Sequence, residues 1–273
     1  MTTTPRSGTL FRLALMRRKR LLISLALGLL AFESLIVAVA AAIPVDQLMA
    51  TKPAPASLDA FAGSSGGVQL ASIAGLLGAG LLHPFWIALQ LSAVESLGAA
   101  VVAGDVEDGT MELIGVRPVS RMRLLAERVA ALKVAAAVLC LVAVIPLVVG
   151  RWISNSVETA ATVSGLFVAA LAGYALVFCF IGVAVLASCA ARRRAVVLGV
   201  VGATAAGAYA INFIAQAWES ARFARWISPF NYYRPGDALV GSAFPWRDVL
   251  VLGAAGAVFM LIAALILRRR ELV

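Results

Sequence analysis

Residues 17–42 read RRKRLLISLALGLLAFESLIVAVAAA, four basic residues followed by an apolar run that carries one charge. An α-helix needs about 20 predominantly apolar residues to cross the hydrocarbon core of a bilayer, and it satisfies its backbone polar groups internally. The run 21–42 therefore predicts a transmembrane helix. It is longer than the apolar region of a secretory signal peptide, so we expect it to stay in the protein.

Composition extends this prediction to the whole chain. The 273 residues are 62% hydrophobic and 14% charged, with a mean hydropathy of +0.96, whereas soluble domains are about half apolar and about a quarter charged. We predict an all-α membrane protein and exclude a soluble enzyme. The chain forms one domain, 1–273, a bundle of six spans at approximately 21–42, 79–103, 129–149, 161–187, 195–217 and 249–267.

Charge placement predicts the orientation. Seventeen of the 23 Lys and Arg residues fall on one face of a six-span bundle, mostly at helix ends. The positive-inside rule makes that face cytoplasmic, and this distribution argues against a nucleic-acid partner. Tryptophans, which favour the headgroup level, fall near the opposite face. We expect a multi-pass protein of the bacterial cytoplasmic membrane with both termini in the cytoplasm.

Three segments flank the spans. Residues 7–16 predict an interfacial elbow helix that turns into span one, because Arg17 to Arg20 would otherwise enter hydrocarbon. Residues 68–82 are apolar and Gly-rich, and they are either an extension of span two or a re-entrant piece that ends at His83-Pro84. Residues 218–248 carry eight of the 21 aromatic residues and three prolines, which predicts interfacial or re-entrant helices between spans five and six.

Polar residues are costly inside a membrane span, so the few that occur here are candidates for a functional role. They line a polar path, or they form structural hydrogen bonds within the bundle; the residues are Glu33, Gln90, Glu95 and Asn212. The sequence contains no phosphate-binding loop and no hydrolase or zinc-protease motif. His83 has no second His or Cys near it. We therefore predict no catalytic residue, no metal site and no cofactor in this chain.

The cytoplasmic run 104–121 reads GDVEDGTMELIGVRPVSR. Its acidic start suits the positive end of a helix dipole. Pro118 disfavours helical geometry at the residue before it, and Ser120 can cap the helix that becomes span three. These helix start and stop signals predict a short helix held against the membrane between spans two and three.

The same run resembles the signature between spans two and three of type-2 permeases of ATP-binding cassette (ABC) transporters. The His83-Pro84 pair and the run SPFNYY at 228–233 resemble the same group. The resemblance implies a permease half that pairs with a second copy or paralogue and with two ABC-type ATPase subunits, which bind ATP and Mg. One departure is Asp105, where the family more often has Glu.

The resemblance also implies which residues contact the ATPase. The coupling helix would contribute Asp105, Glu107, Asp108, Gly109, Thr110, Glu112, Leu113, Arg117 and Pro118. A second cytoplasmic contact would contain Arg192, Arg193 and Arg194. The leading functional hypothesis is an ATP-driven exporter subunit. The alternative is a mechanotransmission subunit that passes ATPase motion to an extracytoplasmic partner, and an intramembrane enzyme ranks third.

Overall fold

The computed structural model describes residues 8–42, 72–110, 120–241 and 243–269, and these ranges contain helices and no strand. The α-helices are α1 Thr9–Ala42, α2 Ile73–Leu82, α3 Pro84–Ala99, α4 Ala103–Glu107, α5 Arg121–Ile153, α6 Asn155–Ala160, α7 Val163–Ala190, α8 Arg194–Ala217, α9 Pro235–Leu239 and α10 Trp246–Arg269. Six are long and apolar enough to cross a membrane, with α2 and α3 counted as one. This confirms the predicted all-α chain with six candidate spans.

Helix α7 lies at the centre of the bundle and packs against α3, α5, α8 and α10. Its contact with α10 is close because glycines meet there. A Cβ on Gly182 would lie 2.6 Å from the carbonyl oxygen of Gly256. Small residues allow membrane helices to approach backbone to backbone, and the two glycines permit this between α7 and α10.

Helix α1 differs from the prediction at its start. Residues 9–16 do not form a separate elbow, since α1 is one continuous helix of 34 residues. At about 1.5 Å per residue it is about 51 Å long, so the basic run can lie beyond a core of about 30 Å without a turn. The Glu127 carboxylate of α5 accepts from the backbone N–H groups of Leu10 (2.9 Å) and Phe11 (3.3 Å), and this fixes the start of α1.

The second span is interrupted at His83. The backbone there is extended (φ −61°, ψ 141°), and Pro84 begins α3. By length and composition, α2 and α3 together make one candidate span, Ile73–Ala99, and residues 66–71 lie outside the described residues. Helix α2 packs against α1, α6 and α9.

Short helices follow α8, as predicted for residues 218–248. They are the 3₁₀ helices Glu219–Ile227 and Pro229–Tyr232, and then α9. The Ser228 hydroxyl donates to the carbonyl of Ala208 in α8 (2.8 Å), and the N–H of Thr162 donates to the carbonyl of Leu239 in α9 (2.8 Å). These bonds attach the short helices to α8 and to the start of α7, and we call this assembly, 218–241, the cap.

Candidate functional site

Helix α4 follows span two, and its start is capped by another helix. Its N-cap residue, Val102, has no side chain that can accept a hydrogen bond. The buried hydroxyl of Ser188 in α7 accepts instead from the N–H groups of Val102 (3.0 Å) and Ala103 (3.1 Å). Free N–H groups at a helix start need such acceptors. Ser188 therefore fixes α4 to the C-terminal end of α7.

Arg128 of α5 holds the same junction from a second side. Its Nη1 donates to the carbonyls of Ala100 (3.0 Å) and Val101 (2.8 Å), where α3 ends. The same nitrogen lies 2.5 Å from Oδ2 of Asp105, and the two side chains are only 11% and 13% exposed. Thr110 donates to Oδ1 of Asp105 at 3.3 Å. Asp105, one of the predicted coupling residues, thus binds both Thr110, another of them, and Arg128 of α5.

Arg194, the first residue of α8, contacts α4 from a third side. Its backbone N–H donates to Oε2 of Glu107 at 2.9 Å, so a carboxylate caps the start of α8. Its guanidinium pairs with the carboxylate of Asp108 and reaches the carbonyl of Gly104. A Cβ on Gly104 would lie 2.8 Å from Nε of Arg194, so glycine permits this approach. The two regions predicted to contact an ATPase therefore meet.

The exposed part of this junction is small. Glu107, Asp108 and Gly109 are exposed at the end of α4, and Arg192 and Arg193 are exposed before α8. Gly109 has a φ of +67°, which glycine adopts without strain. We call these five residues the junction face. The remaining predicted coupling residues, Glu112, Leu113, Arg117 and Pro118, lie outside the described residues.

The polar residues predicted inside the spans divide into two groups. Glu33, Gln90 and Asn212 are buried. Among the described residues, neither carboxyl oxygen of Glu33 and neither side-chain amide atom of Gln90 has a hydrogen-bond partner. The structural hydrogen bonds considered for Glu33 therefore do not occur there. Glu33 packs on α2, where a Cβ on Gly80 would lie 3.3 Å from Oε2. Glu95 differs, since it is only half-buried.

The break in span two has its own hydrogen-bond arrangement. The Phe85 N–H donates to Nδ1 of His83 (3.1 Å) instead of to the carbonyl of Leu81, its usual helical acceptor. The hydroxyl of Tyr233 in the cap donates to that carbonyl at 3.3 Å. Burial raises the pKa of Tyr233, so the hydroxyl keeps the proton that it donates. His83 thus serves as a helix cap. Among the residues that the structure describes, no group of three or more His, Cys, Asp or Glu side chains could hold a metal ion.

Trp86 and Gly173 complete the contact around Tyr233. The rings of Trp86 and Tyr233 stack with their centroids 5.8 Å apart. A Cβ on Gly173 of α7 would lie 3.3 Å from the Tyr233 hydroxyl, so glycine leaves room for both rings. The cap, span two and α7 therefore meet at one buried contact, which joins the two remaining motifs of the resemblance, His83-Pro84 and the run 228–233.

We expect Tyr233→Phe to lower the free energy of unfolding by about 1–3 kcal/mol, because it leaves the buried carbonyl of Leu81 without a donor. The measurement is thermal unfolding of the detergent-solubilised protein. The matched control is Tyr232→Phe, whose hydroxyl donates to an exposed carbonyl of Trp226 and whose loss should cost much less. Equal stability of the two variants would contradict the role assigned to Tyr233.

A scan against protein-family models gives no match for this chain, and a search of curated proteins gives no significant match.

Proposed function

We propose that this chain is the permease subunit of an ATP-driven ABC transporter and works as an exporter. The observation that carries the proposal is the fixed position of α4. Arg128 of α5, Ser188 of α7 and Arg194 of α8 all contact the segment that follows α3. A force applied to α4 would therefore reach four spans. A short helix with this placement suits a coupling element, and it contains the start of the run 104–121, which resembles the type-2 permeases.

In this proposal ATP is bound and hydrolysed by partner subunits. Two ABC-type ATPase subunits bind ATP and Mg and dock on the junction face together with the segment 111–119. A second copy of the chain, or a paralogue, completes the permease in the bacterial cytoplasmic membrane. Both termini and the junction face lie in the cytoplasm, as the distribution of basic residues suggests. This chain contributes the docking surface and the moving helices.

The alternative function, mechanotransmission, is favoured by two features of the cap. Tyr233 ties the cap directly to span two. The 3₁₀ helix Glu219–Ile227 contains no buried residue, and it exposes 75% of Phe223 and 75% of Ile227. Such an apolar surface could receive an extracytoplasmic protein. Motion of span two would then be delivered to a partner on the cap.

The test is purification of the affinity-tagged chain from its native membranes, with mass spectrometry of the proteins that copurify. We expect an ABC-type ATPase in stoichiometric amount, and ATP hydrolysis by the complex in nanodiscs. A pure permease fraction without an ATPase would overturn both functions. Export from proteoliposomes that contain only the permease and ATPase supports the exporter, whereas activity that needs a third, extracytoplasmic protein supports mechanotransmission.

A further inference from the structure

Two arginines lie against one tryptophan ring where the cap meets α10. The guanidinium carbon of Arg225 is 4.6 Å from the centroid of the Trp226 ring, and that of Arg247 is 5.3 Å from the same centroid. The ring attracts each cation, but it also holds two like charges no farther apart than the sum of these distances. We call Arg225, Trp226 and Arg247 the arginine–tryptophan cluster.

The cluster has no negative partner among the residues that the structure describes. Two other arginines of the cap, Arg222 and Arg234, pair with Glu219 and Asp248, but no ion pair in the described ranges includes an arginine of the cluster. Nε of Arg225 is buried there without an acceptor. Because like charges repel, an anion that binds both guanidinium groups is stabilised. Their planar arrays of N–H donors match the oxygens of a phosphate.

The position of the cluster selects the source of that phosphate. Arg247 is the second residue of α10, a candidate span, and the 3₁₀ helix that contains Arg225 begins two residues after the candidate span α8 ends. The ends of spans lie at the level of the lipid headgroups, where tryptophan is favoured. Trp218 and Trp246, which adjoin these two ends, are each 68% exposed. Lipid phosphates are therefore the anions that surround the cluster.

Exposed apolar side chains near the cluster favour a lipid over a free phosphate ion. Phe223 and Ile227 are exposed on the same 3₁₀ helix as Arg225, and Leu250 is 65% exposed on α10. Leu250 follows Arg247 by three residues, so the two lie on one flank of α10. A lipid whose phosphate binds the cluster can cover these apolar side chains with its acyl chains, whereas an inorganic phosphate leaves them exposed.

We propose that the arginine–tryptophan cluster binds the phosphate of an anionic phospholipid. Arg225 and Arg247 donate to the phosphate oxygens, and Trp226 holds the two side chains in position. The acyl chains contact the exposed apolar residues, so the lipid fixes the cap to the membrane at the ends of α8 and α10. This binding does not depend on the proposed transport function.

The experiment places the photoreactive residue p-benzoylphenylalanine at position 223 of the full chain, in nanodiscs of phosphatidylcholine with a minor fraction of phosphatidylglycerol. After irradiation, mass spectrometry identifies the lipids that are attached. We expect phosphatidylglycerol to be enriched about tenfold over its share of the bilayer, because the choline cation of phosphatidylcholine is repelled by the two arginines. Excess inorganic phosphate should leave this enrichment unchanged.

The variant R225Q/R247Q should abolish the enrichment, and Arg225→Gln or Arg247→Gln alone should reduce it. The matched control is Arg222→Gln, the same change at an exposed arginine of the same 3₁₀ helix that pairs with Glu219, and it should keep the enrichment. Attachment of the two lipids in their bilayer ratio, or equal enrichment in R225Q/R247Q, would overturn the proposal. Loss of the enrichment on adding inorganic phosphate would assign the cluster to a free anion instead.

A second irradiation, in the native membranes, separates lipid from protein as the occupant. A phospholipid attached at position 223 supports the proposal, whereas attachment to a second protein would overturn it and favour mechanotransmission. No ATPase takes part in either experiment, so failure of the lipid proposal leaves the docking hypothesis standing. The cluster lies outside the junction face, and loss of its lipid should leave docking of the ATPase unchanged.

Discussion

Reversing the charge of Arg192 and Arg193 together, as R192E/R193E, is expected to abolish copurification of the ATPase and the ATP turnover of the complex. Both side chains are exposed on the junction face, beside the exposed carboxylates of Glu107 and Asp108. The double change turns a mixed-charge surface into one that is wholly acidic. Like charges brought together at an interface cost several kcal/mol, which is enough to lower the affinity by a hundredfold or more.

The measurements are insertion into the membrane, ATPase copurification and ATP hydrolysis. Insertion should stay normal because most of the basic residues that are predicted to be cytoplasmic remain. The matched control is R222E/R247E, which reverses two exposed arginines outside the junction face and should leave the ATPase bound. Glu107 is a less suitable choice for this test, since its carboxylate caps α8 and its reversal would also disturb folding. A fully active complex in R192E/R193E would refute docking at the junction face.

The largest loss of stability is expected from Arg128→Ala, about 3–5 kcal/mol in the free energy of unfolding. The change leaves Asp105 as a nearly buried carboxylate without its cation, and breaking such a pair on one side costs this much. It also removes the donor for the carbonyls of Ala100 and Val101. The measurement is unfolding of the purified protein, by heat or by denaturant in mixed micelles.

Arg222→Ala provides the control for Arg128→Ala. Arg222 lies 3.9 Å from Glu219, but these side chains are 62% and 88% exposed, and an exposed ion pair contributes about 0–1 kcal/mol. In the double variant Asp105→Asn, Arg128→Ala the buried charge is absent, so part of the lost stability should return. If Arg128→Ala costs no more than Arg222→Ala, Arg128 does not hold the junction.

The candidate spans could be predicted from the sequence because each is a local property, a run of apolar residues long enough to cross a bilayer. The break at His83-Pro84 could be predicted for the same reason, since proline acts on its own neighbours. The predicted elbow is not confirmed, because the prediction assumed that the helix of span one begins at the edge of the hydrocarbon core. A helix of 34 residues exceeds that length, so Arg17 to Arg20 needed no turn to stay outside.

The contacts that define the candidate site could not be predicted, since they join residues far apart in the sequence. Ser188 reaches Val102 across 86 positions, and Tyr233 reaches Leu81 across 152. A serine in an apolar helix or an arginine near a span start has many interpretations until its acceptor is known. The sequence did place Glu107 and Arg194 on the same cytoplasmic face, but it contained no signal that one caps the helix of the other.

Helix α3 is fastened near both ends: Arg128 binds the carbonyls of Ala100 and Val101 just after its last residue, and Tyr233 binds the carbonyl of Leu81, three residues before its first. Its 16 residues make a rod of about 24 Å. If the contact with Tyr233 acts as a pivot, a tilt of about 10° moves the other end of α3 sideways by about 4 Å at this length. An angular change too small to disturb the packing near the cap would then become a displacement of several ångströms at α4, and the lever would work equally well in reverse.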